Sequence, residues 1–141
     1  MNPPHRFLLV AAAIAGATGV ALGAFAAHGL EGLLQSQGLE PELIAKRVGQ
    51  FETGSRYHLV HAVALLALAA CGTNASSLVA KSGYLFLTGI VLFSGSLYLL
   101  VLTESPWMGA ITPLGGVAWI VAWVLLAFAT PKRAEQTDPP A

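Results

Sequence analysis

Charge is the scarcest property of this chain. Only 10% of its 141 residues are Asp, Glu, Lys or Arg, against about 25% in an ordinary soluble domain. The seven basic and seven acidic residues cancel, so there is no basic field of the kind that binds nucleic acid or an anionic lipid surface. Cysteine is nearly absent too. Cys71 stands alone, which excludes an internal disulfide and any cysteine metal cage; it reads as a small residue at a helix end near the membrane surface. There is no serine elbow, no glycine-rich phosphate loop and no carboxylate pair flanking a cleft, so no recognisable catalytic chemistry is encoded and the chain does not read as an enzyme. No internal repeat gives a transporter-like symmetry.

What remains is hydrophobic, at 55% of the residues. Four stretches carry almost no charge: Phe7–Ala27, Tyr57–Cys71, Tyr84–Leu102 and Ala110–Ala129. A bilayer span needs roughly 20 apolar residues, and the second stretch is too short. To reach that length it must recruit Phe51–Arg56, which brings ionisable groups to membrane depth, where they are costly and mark a candidate site. The expected fold is an all-α membrane protein. It is a four-helix transmembrane bundle with spans at about 7–27, 51–71, 84–102 and 112–129, forming one domain over residues 1–130. Residues 131–141 lack periodicity and read as a disordered tail. The apolar run behind Arg6 is longer than a signal-peptide core and is followed by three more spans, so it reads as a retained first span. Lys and Arg divide four (Arg6, Lys81, Lys132, Arg133) against three (Lys46, Arg47, Arg56), which favours both termini in the cytoplasm.

Span one carries small residues every fourth position: Ala11, Ala15, Gly19, Gly23 and Ala27, beside the row Ala12, Gly16, Val20, Ala24 and His28. Such rows flatten one helix face for close packing. In the first connection Pro41 suits a first helical turn. Leu43, Ile44, Val48, Phe51 and Ser55 then recur at helical spacing opposite Lys46, Arg47 and Gln50. This predicts an amphipathic helix in the interface plane, bending at Gly49 and Gly54 into span two. Gly72 is a candidate cap closing that span, and residues 73–82 form a polar turn. In span three Ser94, Gly95 and Ser96 suit close packing and hydrogen bonds between or within helices. Thr112 and Pro113 read as the cap and first turn of span four, with Gly115 and Gly116 as a close contact. Trp119 and Trp123 supply packing bulk on one face.

Four ordered strings carry a family resemblance: Leu22–Leu30 (LGAFAAHGL), Phe51–Ala62 (FETGSRYHLVHA), Leu92–Tyr98 (LFSGSLY) and Ile111–Gly116 (ITPLGG). Together they resemble the bacterial membrane family labelled domain of unknown function 423, which has a eukaryotic transmembrane-protein branch. The resemblance covers residues 5–130 and implies a four-helix protein of the bacterial inner membrane, with no established activity, substrate or cofactor. The stretch Leu39–Gly49 is extended relative to shorter members of that family.

The candidate polar cluster is His28, Glu52, Arg56, Tyr57, His58, His61 and Glu104, all at one membrane end. Glu52 and Arg56 stand in the favourable i,i+4 order for an ion pair. His58 and His61, three apart, lie on one side of the helix. Four uses are open. His28 and His61 with a carboxylate suit a metal ion; a histidine from each of two helices suits a b-type haem; the histidines with Glu52 suit a proton or small-solute path. The fourth use is structural, with these groups satisfying helix ends and locking the first two spans. The last makes the protein an accessory, assembly or binding module in the bilayer. It would work beside other membrane proteins or copies of itself, with no nucleic acid partner. A small transporter, channel or metal- or haem-binding protein is the alternative; no particular cofactor is specified.

Overall fold

Residues this apolar leave the backbone no water to bond with, so the chain satisfies its N–H and C=O groups within helices. The computed structural model describes residues 3–70 and 77–129, and among these every regular element is helical. Helix α1 runs Pro3–His28, α2 Leu30–Ser36, α3 Pro41–Ala70, α4 Ser77–Gly89, α5 Gly95–Thr103 and α6 Met108–Ala127. A π-helical turn, Ile90–Ser94, joins α4 to α5, making one rod from Ser77 to Thr103.

Three of these helices are long and apolar enough to cross a membrane: Arg6–His28, Ser77–Thr103 and Met108–Ala127. The expected second span is not among them. Its helix, α3, has the length, about 45 Å for its 30 residues. Its first sixteen residues, however, carry Glu42, Lys46, Arg47, Glu52 and Arg56. The separate interfacial helix of the first connection is also corrected. Pro41 does open a helix, but that helix continues unbroken through Gly49 and Gly54, because both glycines sit in ordinary helical turns. Helix α2 packs on that end of the molecule, with Leu30 and Leu34 fully buried. Helix α2 stops at Gly38, whose φ of +75° only glycine adopts without strain.

Two further boundaries differ from expectation. The rod of span three begins at Ser77, so residues 77–82 belong to helix. There Ser82 is buried and donates from Oγ to the Ala122 carbonyl at 3.0 Å. Helix α6 starts at Met108, not Thr112. Backbone bonds from Met108, Gly109 and Ala110 to the carbonyls of Ser105, Pro106 and Trp107 close its first turn. Pro113 therefore lies inside the helix, in its second turn, where it offers the Gly109 carbonyl no N–H. Cys71, Gly72, residues 73–76 and the tail 131–141 lie outside the described residues.

Helix α1 packs antiparallel on α3 and α4 packs on α6, with α3 also touching the rod along its length. Two clusters form the core. One gathers Leu8, Leu65, Phe86, Trp119 and Ala122. The other, toward the α2 end, gathers Leu30, Leu34, Phe51, Tyr98 and Val101. Large apolar side chains such as Val20, Val63, Val91 and Ile120 point outward, the lipid-facing surface a bilayer requires.

Candidate functional site

The small-residue row of α1 sets the register of the site. A Cβ on Gly19 would sit 2.8 Å from Leu59 Cδ2, and one on Gly23 3.0 Å from Ser55 Oγ. Ser55 donates to the Gly19 carbonyl at 3.4 Å, and Ala15 is buried in the first core cluster. The second row behaves differently: Ala12 is buried, but Val20, Ala24 and His28 turn outward. His28, in the last turn of α1, is exposed. With Gly19 opposite His58 and Leu59, and Gly23 opposite Ser55, His28 is level with about residue 50. It stands some eleven residues, or ~16 Å of helix, from His61. One metal ion or haem iron cannot be shared across that distance. Among the described residues no three His, Cys, Asp or Glu side chains stand together as a metal-holding group.

The remaining members disperse as well. Glu52 and Arg56 are both exposed and form no ion pair with each other among the described residues. Glu104 is exposed at the end of α5, in a left-handed conformation with φ 52°. Only His58 and His61 are buried, on α3, with Tyr57 half-exposed beside them.

Those two histidines are not on one side in any useful sense. Three positions separate them by about 60° around the helix, enough to send them into different interfaces. His61, 4% exposed, faces α4 and α6. Its ring lies flat on the Trp119 indole, centroids 3.7 Å apart and planes 3° apart. Its Nδ1 stands 2.8 Å from the Tyr57 carbonyl. A carbonyl only accepts, so Nδ1 carries the proton and donates. Tyr57 stacks beyond it on the same indole at 5.7 Å. Trp119 Nε1 donates to the Phe86 carbonyl at 3.1 Å, and Phe86 meets His61 at 5.4 Å and Trp123 at 4.9 Å. The result is an aromatic joint tying α3, α4 and α6.

His58, 6% exposed, faces α1 and α5. Its Nδ1 lies 3.2 Å from the Tyr98 hydroxyl. Its Nε2 is fully buried, with no hydrogen-bond partner among the described residues. It lines two lateral grooves between α1 and the Ser77–Thr103 rod, of about 370 and 560 Å³.

The expected packing residues of spans three and four also divide. Ser96 Oγ meets Thr112 Oγ1 at 2.8 Å and donates to the Phe93 carbonyl at 2.9 Å. Gly115 lets α6 approach the Phe93 backbone, where a Cβ would stand 2.7 Å from the Phe93 Cβ. Ser94 is fully buried with its Oγ unpartnered. Gly95 and Gly116 have ordinary space around them. Sequence reasoning missed Tyr98 and Gly89. Tyr98 was signalled only as a hydroxyl one helical turn beyond Ser94. Gly89, whose missing side chain admits the Trp119 ring, had no local signal.

Comparison with known proteins agrees with the helical, apolar character. A family model described as a protein of unknown function (DUF423) matches residues 22–116. The UPF0382 membrane protein YwdK of Bacillus subtilis is 40% identical over 129 residues, covering 90% of this chain and 98% of that protein. The UPF0382 inner membrane protein YgdD of Escherichia coli is 39% identical over 122 residues, 86% of each chain. A UPF0382 membrane protein of Haemophilus influenzae is 38% identical over 124 residues, 88% of this chain and 93% of the other. No solved structure matches at a significant level. This integral membrane protein belongs to the DUF423 family.

Proposed function

We propose that the chain is a four-pass protein of the bacterial inner membrane that performs no chemistry of its own and acts as an accessory or assembly module through partners in the bilayer. One observation carries this reading: the side chains best suited to chemistry are consumed as joints. His61 is held by Trp119 and Tyr57, and the hydroxyls of Ser55, Ser82 and Ser96 bond to neighbouring helices. Among the described residues no continuous line of polar groups is left for a solute path. Native membranes solubilised in a mild detergent test it. The chain is expected in an assembly larger than its own monomer, and the purified protein in liposomes is expected to pass no protons. A lone monomer, or measurable proton flux, removes the reading.

The fourth pass is α3. It is long enough, and its antiparallel packing on α1 supports an equal depth of crossing. The label of the Escherichia coli relative supports the inner membrane, and the Lys and Arg distribution supports cytoplasmic termini. Alkaline phosphatase fused after Gln37 or Ser105 should be active, and after Ala129 inactive; any other pattern changes the number of passes or the orientation.

A further inference from the structure

Between α2 and the start of α3 lies a cavity of about 490 Å³, within the range of small-molecule sites. It is independent of the accessory reading, because its depth in the bilayer needs only α1 to cross. The crossing stretch Arg6–His28 has its middle near Ala17. With Gly19 opposite His58 and Leu59, and Gly23 opposite Ser55, that middle is level with about residue 60 of α3. Glu52 therefore stands ~12 Å from the bilayer centre along the helix, and Ile44 ~24 Å. Hydrocarbon ends about 15 Å from the centre and the headgroups at about 22 Å. The cavity spans the headgroup layer.

Its lining is of two kinds. Leu39, Ile44 and Val48 are apolar; Glu31, Gln35 and Glu52 are polar, and among the described residues no lysine or arginine joins them. Gln35 Nε2 donates to Glu31 Oε1 at 3.1 Å and holds that carboxylate in place. Glu52 has no partner among the described residues. Two carboxylates on one small space favour a cation, and Arg56 narrows the choice. It follows Glu52 one turn deeper and about 40° round the helix, exposed and likewise unpaired among the described residues. At ~6 Å from the centre, a guanidinium facing lipid is costly unless it reaches outward to an anion. The nearest anions in a bilayer are lipid phosphates.

We propose that this site binds phosphatidylethanolamine, with its phosphate on Arg56 and its ammonium in the cavity between Glu31 and Glu52. Arg56 and Glu52 are ~6 Å apart along the helix, a gap that the two-carbon bridge of the headgroup spans between extended side chains. The zwitterion gives each an opposite charge, although the two stand in ion-pair order and do not meet. Phosphatidylglycerol suits Arg56 but brings no cation to the carboxylates. Phosphatidylcholine brings a cation whose methyl groups leave no N–H to donate, and a charge-assisted hydrogen bond needs one.

The test uses the full-length protein in nanodiscs holding equal amounts of these three lipids, with native mass spectrometry counting the lipids that leave with the protein. Phosphatidylethanolamine is expected to be retained about fivefold over phosphatidylcholine, the worth of one strong interfacial ion pair, and also over phosphatidylglycerol. Glu52→Gln should bring the first two level, and Arg56→Gln should lower retention of all three. Both positions are exposed, so these variants keep the fold, which circular dichroism of each sample checks. Glu42→Gln, exposed on the same helix but outside the cavity, should retain lipid as the parent does. The proposal is overturned by a parent that retains phosphatidylethanolamine and phosphatidylcholine equally, or that prefers phosphatidylglycerol. A preference that survives both Glu52→Gln and Arg56→Gln, or that falls equally in Glu42→Gln, overturns it too.

Discussion

His61 and Trp119 lie face to face across the α3–α6 interface, with ring centroids 3.7 Å apart and planes 3° apart. The contact is held at both ends, by the Nδ1–H bond to the Tyr57 carbonyl and the indole N–H bond to the Phe86 carbonyl. Two aromatic side chains, each anchored by one ring N–H, form a rigid joint. Truncating either side chain should therefore cost packing and one side-chain hydrogen bond. His61→Ala and Trp119→Phe should each lower stability in detergent, and their double-mutant cycle should give a coupling of about 0.5–1.5 kcal/mol. Strictly additive effects in denaturant titrations would show that the rings do not act together.

The same joint depends on a missing side chain. A Cβ on Gly89 would fall on the Trp119 indole, whereas a Cβ on Gly16 meets nothing within 4 Å. Gly89→Ala should destabilise by about 1–3 kcal/mol, the usual cost of overpacking. Gly16→Ala should be neutral or gain up to ~1 kcal/mol through helix propensity. Thermal unfolding of the two variants side by side reads the difference.

The hydroxyl pair between Ser96 and Thr112, 2.8 Å apart, ties the rod to α6. Interhelical hydrogen bonds within membranes average about 0.6 kcal/mol, with a maximum near ~1.7. Ser96→Ala and Thr112→Val should each lose that much. The double variant should lose no more than the worse single one, since either change breaks the same bond. Unfolding in mixed micelles provides the comparison.

Glu104 ends α5 with φ 52° and ψ 31°, a left-handed conformation that costs an L-residue about 1–2 kcal/mol. It also places a negative charge at the negative end of a helix dipole. Glycine removes both penalties, offset in part by the greater conformational entropy it gives the unfolded chain. Glu104→Gly should raise stability by roughly 0.5–1 kcal/mol; a lower melting temperature would point to a role for the carboxylate.

Glu52 and Arg56 provide a control. Both are exposed and unpaired with each other, so Glu52→Gln and Arg56→Gln should each change stability by less than about 0.5 kcal/mol. Spacing alone had suggested a tightly retained pair. The i,i+4 rule permits contact but does not compel it, because two flexible side chains at a wet surface gain little by meeting.

Why the cluster was legible only in part follows from the helix itself. That one helix carries Glu52, Arg56, His58 and His61 ahead of the second apolar run was readable from the shortness of that run. Their partners were not, because a turn of about 100° per residue carries His58 and His61 to different neighbours. The neighbours, Tyr98 and Trp119, are 40 and 58 positions away in the chain. His28 seemed close because it ends the preceding span. The antiparallel register that Gly19 and Gly23 impose keeps it about three helical turns from His61.

By itself the sequence determined the class of the protein: too little charge to live in water, enough apolar length for helices that cross a bilayer, and small-residue rows that let them approach. These are properties of composition and local period, which act through solvent transfer and need no knowledge of partners. Tertiary structure decided the rest. It made the first connection's helix continuous with α3, because nothing at Gly49 or Gly54 forces a bend. It spent His61 on an indole and set His58 between the Tyr98 hydroxyl and α1. Those outcomes depend on which faces meet and in what register, a contest between packings of the whole bundle that no single stretch of residues settles.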